Sequence, residues 1–189
     1  MGKFERVKTK FDDVNLIRPT VFRDDRGFFL ETYNRQEFAE LGIHDEFVQD
    51  NFSNSAKGVI RGLHYQTKNV QGKLVRVLRG KIFDVIVDIR RQSPEYGRYL
   101  AVELTSEDPI MLYVPVGFAH GFMALEDNTE VMYKVTDFYS PRYDAGIRWN
   151  DPDLSVEWPI KTYGILTPVL STKDAVLPFL KDIKSPFKV

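Results

Sequence analysis

Residues 81–90 read KIFDVIVDIR. The odd positions from 83 to 89 are apolar, namely Phe83, Val85, Val87 and Ile89. Asp84 and Asp88 stand between them, so the run has the period of two that is typical of a half-buried β-strand. The stretch predicts a sheet protein in which one face of this strand lies in the core.

Similar short runs recur along the chain, separated by turn signals such as DDRG at 24–27 and Arg79-Gly80. They lie at 16–22, 27–33, 46–51, 59–66, 73–78, 98–105, 111–114, 121–126 and 129–136. Many short strands at close spacing predict a mainly β fold, an antiparallel sandwich or barrel.

Two segments carry helix signals. Asn34 with Glu37 three residues later predicts a capped helix that ends at Gly42. Ser171 and Asp174 predict a second one, which Pro178 keeps short. Four prolines after residue 158 predict an extended segment, about 159–189, packed on the barrel of a single domain spanning 1–189.

Composition bounds the class of protein. A chain of 189 residues buries about 70% of its unfolded surface and needs no disulfide or metal to hold its core. With 43% hydrophobic and 28% charged residues it is not disordered. Its 26 basic and 27 acidic side chains argue against nucleic acid as the main partner.

The absence of cysteine excludes disulfides, thiolate catalysis and cysteine-ligated metal sites. The N-terminus lacks the apolar core of a signal peptide, and we expect a cytoplasmic protein. The most apolar stretch, 110–125, is interrupted by Pro115, Gly117 and Gly121, so we expect no membrane partner.

The run 59–66, VIRGLHYQ, holds the best clue to function. His64 can exchange protons near neutral pH, and Arg61 can clamp a phosphate or carboxylate. An isolated strand histidine is more often a core residue, but Arg61, Gln66 and Lys73 nearby weaken that interpretation, because unpaired polar groups are costly to bury. On a regular strand Arg61 and His64 face opposite ways, so a shared pocket requires a bulge or twist at Gly62.

Three further side chains have two interpretations each. Lys73 shares the strand parity of Val75 and Val77 and either points inward or reaches solvent at a strand end. Tyr133 is either a core tyrosine or an acid in a polar pocket. Asp174 either caps a helix or takes part in the site.

His120 lies in VPVGFAHGF at 114–122, and its P-x-G-x-x-H pattern is typical of cupin barrels. Metal-binding cupins carry an H-x-H motif earlier in the chain, where this sequence has His64-Tyr65-Gln66. With only three histidines the ligand set is too small, so we expect no metal.

Together, eight motifs resemble the dTDP-4-dehydrorhamnose 3,5-epimerase family, in order from about residue 16 to residue 180. They are DDRGFF (24–29), QDN (49–51), RGLH (61–64), QGKLVR (71–76), FDV (83–85), PVGFAHGF (115–122), YK (133–134) and STKD (171–174). The resemblance implies a cupin-type antiparallel jelly-roll barrel with a few short helices, no cofactor, and a homodimer acting on a dTDP-linked 4-keto sugar.

The resemblance also implies roles. His64 is the base, Asp174 its orienting partner, Tyr133 the acid on the opposite sugar face and Lys73 the group beside the C4 carbonyl. Tyr139 stacks on thymine. The other substrate contacts are Arg26, Phe28, Glu31, Gln49, Asn51, Arg61, His120, Asp144 and Lys173. The family's N-terminal strand crosses to the partner subunit, so Arg26 and Glu31 serve the neighbouring site.

This chemistry suits the residues. Epimerisation beside a ketone needs a base for the α proton, a donor on the other face and a charge that holds the enolate. We find neither a G-x-G-x-x-G nor a Walker motif. The open alternatives are a single-site epimerase or keto-isomerase, a non-catalytic sugar-nucleotide-binding cupin, and a metal-dependent cupin oxygenase.

Overall fold

The computed structural model describes residues 2–189. The strands are β1 (Phe4–Lys8), β2 (Asn15–Pro19), β3 (Phe22–Asp24), β4 (Gly27–Phe29), β5 (Gln49–Ser55), β6 (Ile60–Gln66), β7 (Lys73–Arg79), β8 (Lys81–Asp88), β9 (Tyr99–Thr105), β10 (Met111–Val114), β11 (Phe118–Ala124), β12 (Thr129–Val135) and β13 (Asp144–Gly146). The helices are α1 (Arg35–Glu40) and α2 (Thr172–Ala175), with a 3-10 turn at Leu180–Asp182.

Two antiparallel sheets face each other. One has six strands in the order β1-β2-β10-β7-β12-β5, and the other has five in the order β13-β6-β11-β8-β9. Strands β3 and β4 form a separate hairpin. The prediction of a mainly β, cupin-type antiparallel jelly roll is confirmed.

The core between the sheets takes side chains from both. Val75 and Val77 from the six-stranded sheet pack with Ile82 and Ile86 from β8 and with Phe122 from β11. All five are buried, which removes their apolar surface from water and holds the sheets together.

The prediction that residues 81–90 form a half-buried strand is wrong in one respect, because β8 is buried on both faces. Its even-numbered Ile82 and Ile86 face the core between the sheets. Its odd-numbered Val85 and Val87 pack in a second cluster together with Leu180 near the C-terminus. The alternation within residues 81–90 could not reveal that the second face is buried, because the side chains that bury it lie nearly 100 residues further along the chain.

Asp84 and Asp88 are therefore fully buried, each with a polar partner. Asp88 accepts hydrogen bonds from Arg90 Nη2 at 2.7 Å and from Ser93 Oγ at 2.7 Å. Asp84 is bound to His120. Buried carboxylates require such partners, because an unpaired buried charge costs several kcal/mol.

Several predicted strand limits are displaced. The run predicted at 46–51 forms β5 three residues later, the run at 121–126 forms β11 from Phe118, and the run at 27–33 ends as a strand at Phe29. The run at 16–22 divides into β2 and β3, while β1 and β13 were not predicted. Pairing with neighbouring strands sets these limits, and this pairing cannot be read from a single run of sequence.

Both predicted helices are confirmed. Asn34 Oδ1 accepts hydrogen bonds from Gln36 N at 3.1 Å and Glu37 N at 3.3 Å at the start of α1. Ser171 Oγ accepts one from Asp174 N at 3.0 Å at the start of α2. Within residues 2–189 no helix is long and apolar enough to cross a membrane.

The segment after residue 158 lies along the five-stranded sheet. Ile183 and Phe187 pack in the cluster that covers β8, and Ile60 N donates a hydrogen bond to Val169 O at 2.9 Å. Because this segment shares a core with the barrel, we propose that residues 1–189 form a single domain.

Candidate active site

Glycine at position 62 lets β6 approach β11 closely. In the β6–β11 pairing, His64 lies opposite His120 and Arg61 lies opposite Phe122. Two residues of β6 therefore separate the paired positions, whereas one residue of β11 does. This is a β-bulge. Gly62 has φ of 126°, and a Cβ there would lie 2.5 Å from the Gly121 Cα. The predicted irregularity at Gly62 is confirmed.

The bulge turns Arg61 and His64 toward one cavity of about 350 Å³ between the two sheets. Nine of the predicted site residues line it, namely Asn51, Arg61, His64, Lys73, His120, Tyr133, Tyr139, Asp144 and Lys173. Strands from both sheets supply seven of them, α2 supplies Lys173 and the loop before β13 supplies Tyr139. The fold thus collects residues that lie far apart in the sequence.

His64 and Asp174 form a close pair at the cavity wall. His64 Nε2 lies 2.6 Å from Asp174 Oδ1, and Gly62 N donates to Asp174 Oδ2 at 3.4 Å. Burial acts to raise the pKa of Asp174, but the hydrogen bond and charge of His64, the Gly62 amide and Lys173 outweigh it and lower that pKa. An ionised Asp174 fixes the orientation of the imidazole and stabilises its protonated form.

Lys73 points inward, as one of its two interpretations predicts. Its side chain is 8% exposed, and Nζ donates to the His64 carbonyl oxygen at 3.3 Å. Burial lowers the pKa of Lys73 to about 8, although the charges of Asp84 and Asp144 act in the opposite direction. Lys73 therefore titrates near physiological pH while remaining mostly a cation at neutral pH.

A second histidine–aspartate pair lies deeper. His120 Nε2 is 2.7 Å from Asp84 Oδ1, and both residues are buried. Burial lowers the pKa of His120, with Lys73 and His64 acting in the same direction and Asp84 opposing them. The imidazole is thus neutral and donates its Nε2 proton to Asp84.

Gln66 and Gln71 line the cavity but were not predicted as site residues, and neither was Asp84, which lies beside His120. The second carboxylate oxygen of Asp84, Oδ2, is buried without a hydrogen-bond partner among the described residues. The signal was an acid in the middle of an apolar strand. Alternation suggested its exposure, whereas its parity with Ile82 and Ile86 directs it toward the core and the cavity.

Tyr133 lies on β12, opposite Asn51 of β5 and Val75 of β7. Its ring lines the cavity. Burial raises the pKa of Tyr133, partly offset by the charge of Arg61, so the phenol is protonated at neutral pH. It is therefore available as a proton donor.

Polar groups surround the cavity mouth. Asp144 Oδ2 accepts hydrogen bonds from Tyr139 Oη at 3.0 Å and from Lys173 Nζ. Arg61 Nε donates to Ser55 Oγ at 3.0 Å, which orients its guanidinium. Two cationic side chains, Arg61 and Lys173, thus line an anion-compatible opening.

Asp174 reaches the cavity only through His64, and four other predicted site residues do not line it. Arg26 lies on the β3–β4 hairpin bound to Asp24 at 2.6 Å, and Phe28 on the same hairpin is 63% exposed. Glu31 forms an ion pair with Lys3 at 2.9 Å. Gln49 does not line the cavity itself, but its Nε2 donates a hydrogen bond to Oδ1 of the cavity residue Asn51 at 2.9 Å.

The donor set does not suit a metal. Within residues 2–189 no group of three or more histidine, cysteine, aspartate or glutamate side chains is arranged to hold an ion. His64 and His120 each commit Nε2 to a carboxylate rather than to a shared centre.

A family model described as dTDP-4-dehydrorhamnose 3,5-epimerase matches residues 8–182. The chain belongs to this family. A protein of Methanothermobacter thermautotrophicus with the same name is 48% identical over 174 residues, which cover 92% of this chain and 93% of the relative. A relative from Pseudomonas aeruginosa, 50% identical over 163 residues that cover 86% of this chain and 88% of its own, has this name as well. An epimerase is an isomerase, and these relatives are named as enzymes of that class.

Solved structures agree in fold. A dTDP-6-deoxy-D-glucose-3,5-epimerase from Legionella pneumophila, in complex with dTDP-4-keto-L-rhamnose, has a TM-score of 0.91 and 44% identity over 96% of this chain and 95% of its own. A 3'-monoepimerase from Streptomyces bikiniensis, in complex with dTDP-quinovose, has a TM-score of 0.83 and 28% identity over 92% of this chain and 86% of its own. The same fold therefore occurs in a protein named as a 3,5-epimerase and in one named as a 3'-monoepimerase.

Replacing Gly62 with alanine should distort the β6–β11 contact. Overpacking alone typically costs about 1–3 kcal/mol, and alanine at position 62 would also have a strained φ. We therefore expect Gly62→Ala to lower the free energy of unfolding by at least about 3 kcal/mol. Urea denaturation measures this. Gly27→Ala is the control, since Gly27 has a similar φ of 122° but open space around an added Cβ. Equal losses in the two variants would contradict the role given to the close contact.

Proposed function

We propose that this protein epimerises dTDP-4-dehydro-6-deoxy-D-glucose at C3 and C5, giving dTDP-4-dehydro-L-rhamnose. One observation carries the proposal. The His64–Asp174 pair, with 2.6 Å between Nε2 and Oδ1, opens on a cavity that also holds Lys73 and Tyr133. These are a base, a cation and a phenol, the three groups that the reaction needs.

The proposed chemistry starts at a carbon beside the C4 ketone. The His64 ring nitrogen that is not bound to Asp174 takes the α proton, and the electron pair moves onto the C4 oxygen. Lys73 stabilises this enolate oxygen, an interaction worth roughly 3–4 kcal/mol in comparable oxyanion sites. Tyr133 returns a proton from the opposite face, and the ketone forms again. His64 then gives its proton to solvent and the Tyr133 phenolate takes one from solvent, and the same sequence at the other carbon completes the reaction.

In this proposal the dTDP portion of the substrate binds at the mouth of the cavity. Arg61 and Lys173 supply positive charge for the diphosphate, and Tyr139 supplies an exposed ring for the thymine. Asn51 and His120 face the same space as polar contacts. Cofactors are not part of this scheme, because the substrate ketone itself acidifies both carbons.

The test is solvent exchange followed by NMR. In deuterated water the product should carry deuterium at both C3 and C5. His64→Ala should lower kcat by about two to four decades, the range for losing a positioned base, while dTDP binding survives. His44→Ala is the control, since His44 is exposed and does not line the cavity.

Two of the alternatives have their own outcomes in this experiment. Deuterium at a single carbon would indicate a single-site epimerase, the alternative that the likeness to the 3'-monoepimerase favours. Binding of dTDP without any exchange would indicate a non-catalytic cupin. Full activity in His64→Ala would refute the assigned base.

The pH dependence should follow Lys73. The charged form of Lys73 is lost as pH rises through about 8, so turnover should fall there. The negative charge of Asp84 raises the pKa of Lys73, and Asp84→Asn should therefore move this fall to lower pH. Profiles of kcat against pH measure both.

The matched control is Asp88→Asn, which removes a second buried carboxylate from the same strand. Asp88 is paired with Arg90 rather than His120, so this variant should lose stability without moving the alkaline limb. An unmoved limb in Asp84→Asn would contradict the assignment of this limb to Lys73.

We also propose a homodimer in which the N-terminal hairpin completes the neighbouring site. Arg26 and Phe28 lie outside this chain's own cavity, and the hairpin exposes three phenylalanines, Phe22, Phe28 and Phe29. Exposed aromatic rings of this kind are typical of interaction surfaces. In that arrangement Arg26, Phe28 and Glu31 would contact substrate held by the partner.

Hybrid dimers test this sharing. Arg26→Ala and His64→Ala should each be impaired, and refolding them together should restore activity, because one site of the hybrid then carries neither change. Refolding each variant alone is the control. No recovery in a mixture shown by sedimentation to be dimeric would contradict the shared site.

A further inference from the structure

Three glutamine side chains hold one short segment beside the cavity. The segment is Asp137–Ser140, which lies between β12 and β13 and forms no strand. The glutamines are Gln49, Gln66 and Gln71, here called the glutamine clamp. They come from β5, from β6 and from the loop before β7, so the segment is supported from three separate places.

Gln66 makes the most contacts. Its Oε1 accepts a hydrogen bond from Ser140 N at 2.6 Å, and its Nε2 donates to Phe138 O at 3.2 Å. The same Nε2 donates to Asn69 O. With 4% of its surface exposed, Gln66 is buried beneath the segment rather than lying on its outside.

The other two members hold the remaining positions. Gln71 Nε2 donates to Asp137 O at 2.8 Å. Gln49 Oε1 accepts from Tyr139 N at 3.0 Å. Each residue of the segment therefore has a backbone group bound by an amide side chain.

These hydrogen bonds anchor a segment that exposes two large rings. Phe138 is 62% exposed and Tyr139 is 52% exposed. Packing of these rings therefore contributes little to holding the backbone. Irregular backbone that lacks ladder partners is ordinarily mobile, whereas backbone with satisfied polar groups is held in place.

The clamp also has no net charge. Its amides do not titrate, so the donors and acceptors that they offer to the segment do not depend on pH. Amides also provide a donor and an acceptor on one side chain, and Gln66 uses both.

We infer that Gln66 is a positioning residue, which holds Tyr139 ready to stack on the nucleobase before substrate arrives. The inference rests on the proposed function for the role of Tyr139. Its physical basis is preorganisation, since a segment that is already ordered loses less entropy on binding. The clamp should thus affect affinity for the nucleotide and leave the chemical step unchanged.

Gln66→Met tests this, because methionine keeps the length of the side chain and removes its hydrogen bonds. We expect Kd for dTDP, measured by calorimetry, and KM for the nucleotide sugar to rise about three- to tenfold. That is the effect of about 0.7–1.4 kcal/mol, the range for ordering one or two groups. The value of kcat should stay within about twofold.

Hydrogen exchange of the protein without ligand is the second measurement. Amides of 138–140 should exchange faster in Gln66→Met, while those of β12 stay protected. Gln71→Met, which loses a single bond, should show a smaller effect of the same kind and carries the test if Gln66→Met fails to fold. Gln36→Met is the matched control, an exposed glutamine on α1 that should change nothing.

The outcomes separate the two proposals. Unchanged dTDP affinity in Gln66→Met overturns the clamp, and so does weaker affinity with unchanged exchange at 138–140, which would mean direct contact with the nucleotide. Weaker affinity with faster exchange supports the clamp. That result stands even if the wild-type protein shows no deuterium incorporation into sugar, in which case only the proposed reaction fails.

Discussion

The close approach of β6 to β11 at Gly62 and Gly121 is the constraint on which the site depends. Neither position has room for a Cβ, since one on Gly62 would lie 2.5 Å from the Gly121 Cα and one on Gly121 would lie 2.5 Å from the Arg61 carbonyl oxygen. The resulting bulge puts Arg61 and His64 on one cavity and directs the Gly62 amide at Asp174. Two glycines therefore determine where the base and its partner meet.

Burial of β8 on both faces links the fold to the electrostatics. The C-terminal region covers the odd-numbered face and, on its way there, delivers Lys173 and Asp174 to the cavity. The other face carries Asp84 into the barrel interior beside His120. The same chain path thus completes the core and supplies the carboxylate that pairs with His64, while β8 supplies the one that pairs with His120.

Two histidine–aspartate pairs with similar distances differ in their surroundings. His64 keeps 30% of its side chain exposed to the cavity, and its aspartate is held ionised. His120 is enclosed, and burial keeps it neutral. Environment rather than residue type distinguishes the two pairs. One pair is available for proton transfer, while the other holds a neutral imidazole whose Nε2 proton is donated to Asp84 and whose Nδ1 is an acceptor.

The sequence by itself determined the fold class, both helix caps, the need for an irregularity at Gly62 and most side chains of the cavity, because alternation, capping and ordered motifs are local signals. Only the tertiary structure decided that β8 is covered twice, that Asp84 faces inward, and that Gln66 and Gln71 hold the Tyr139 segment. It also put Arg26, Phe28 and Glu31 away from this chain's own cavity. These features arise from contacts between residues tens of positions apart, and periodicity along one strand contains no information about what packs on its other face.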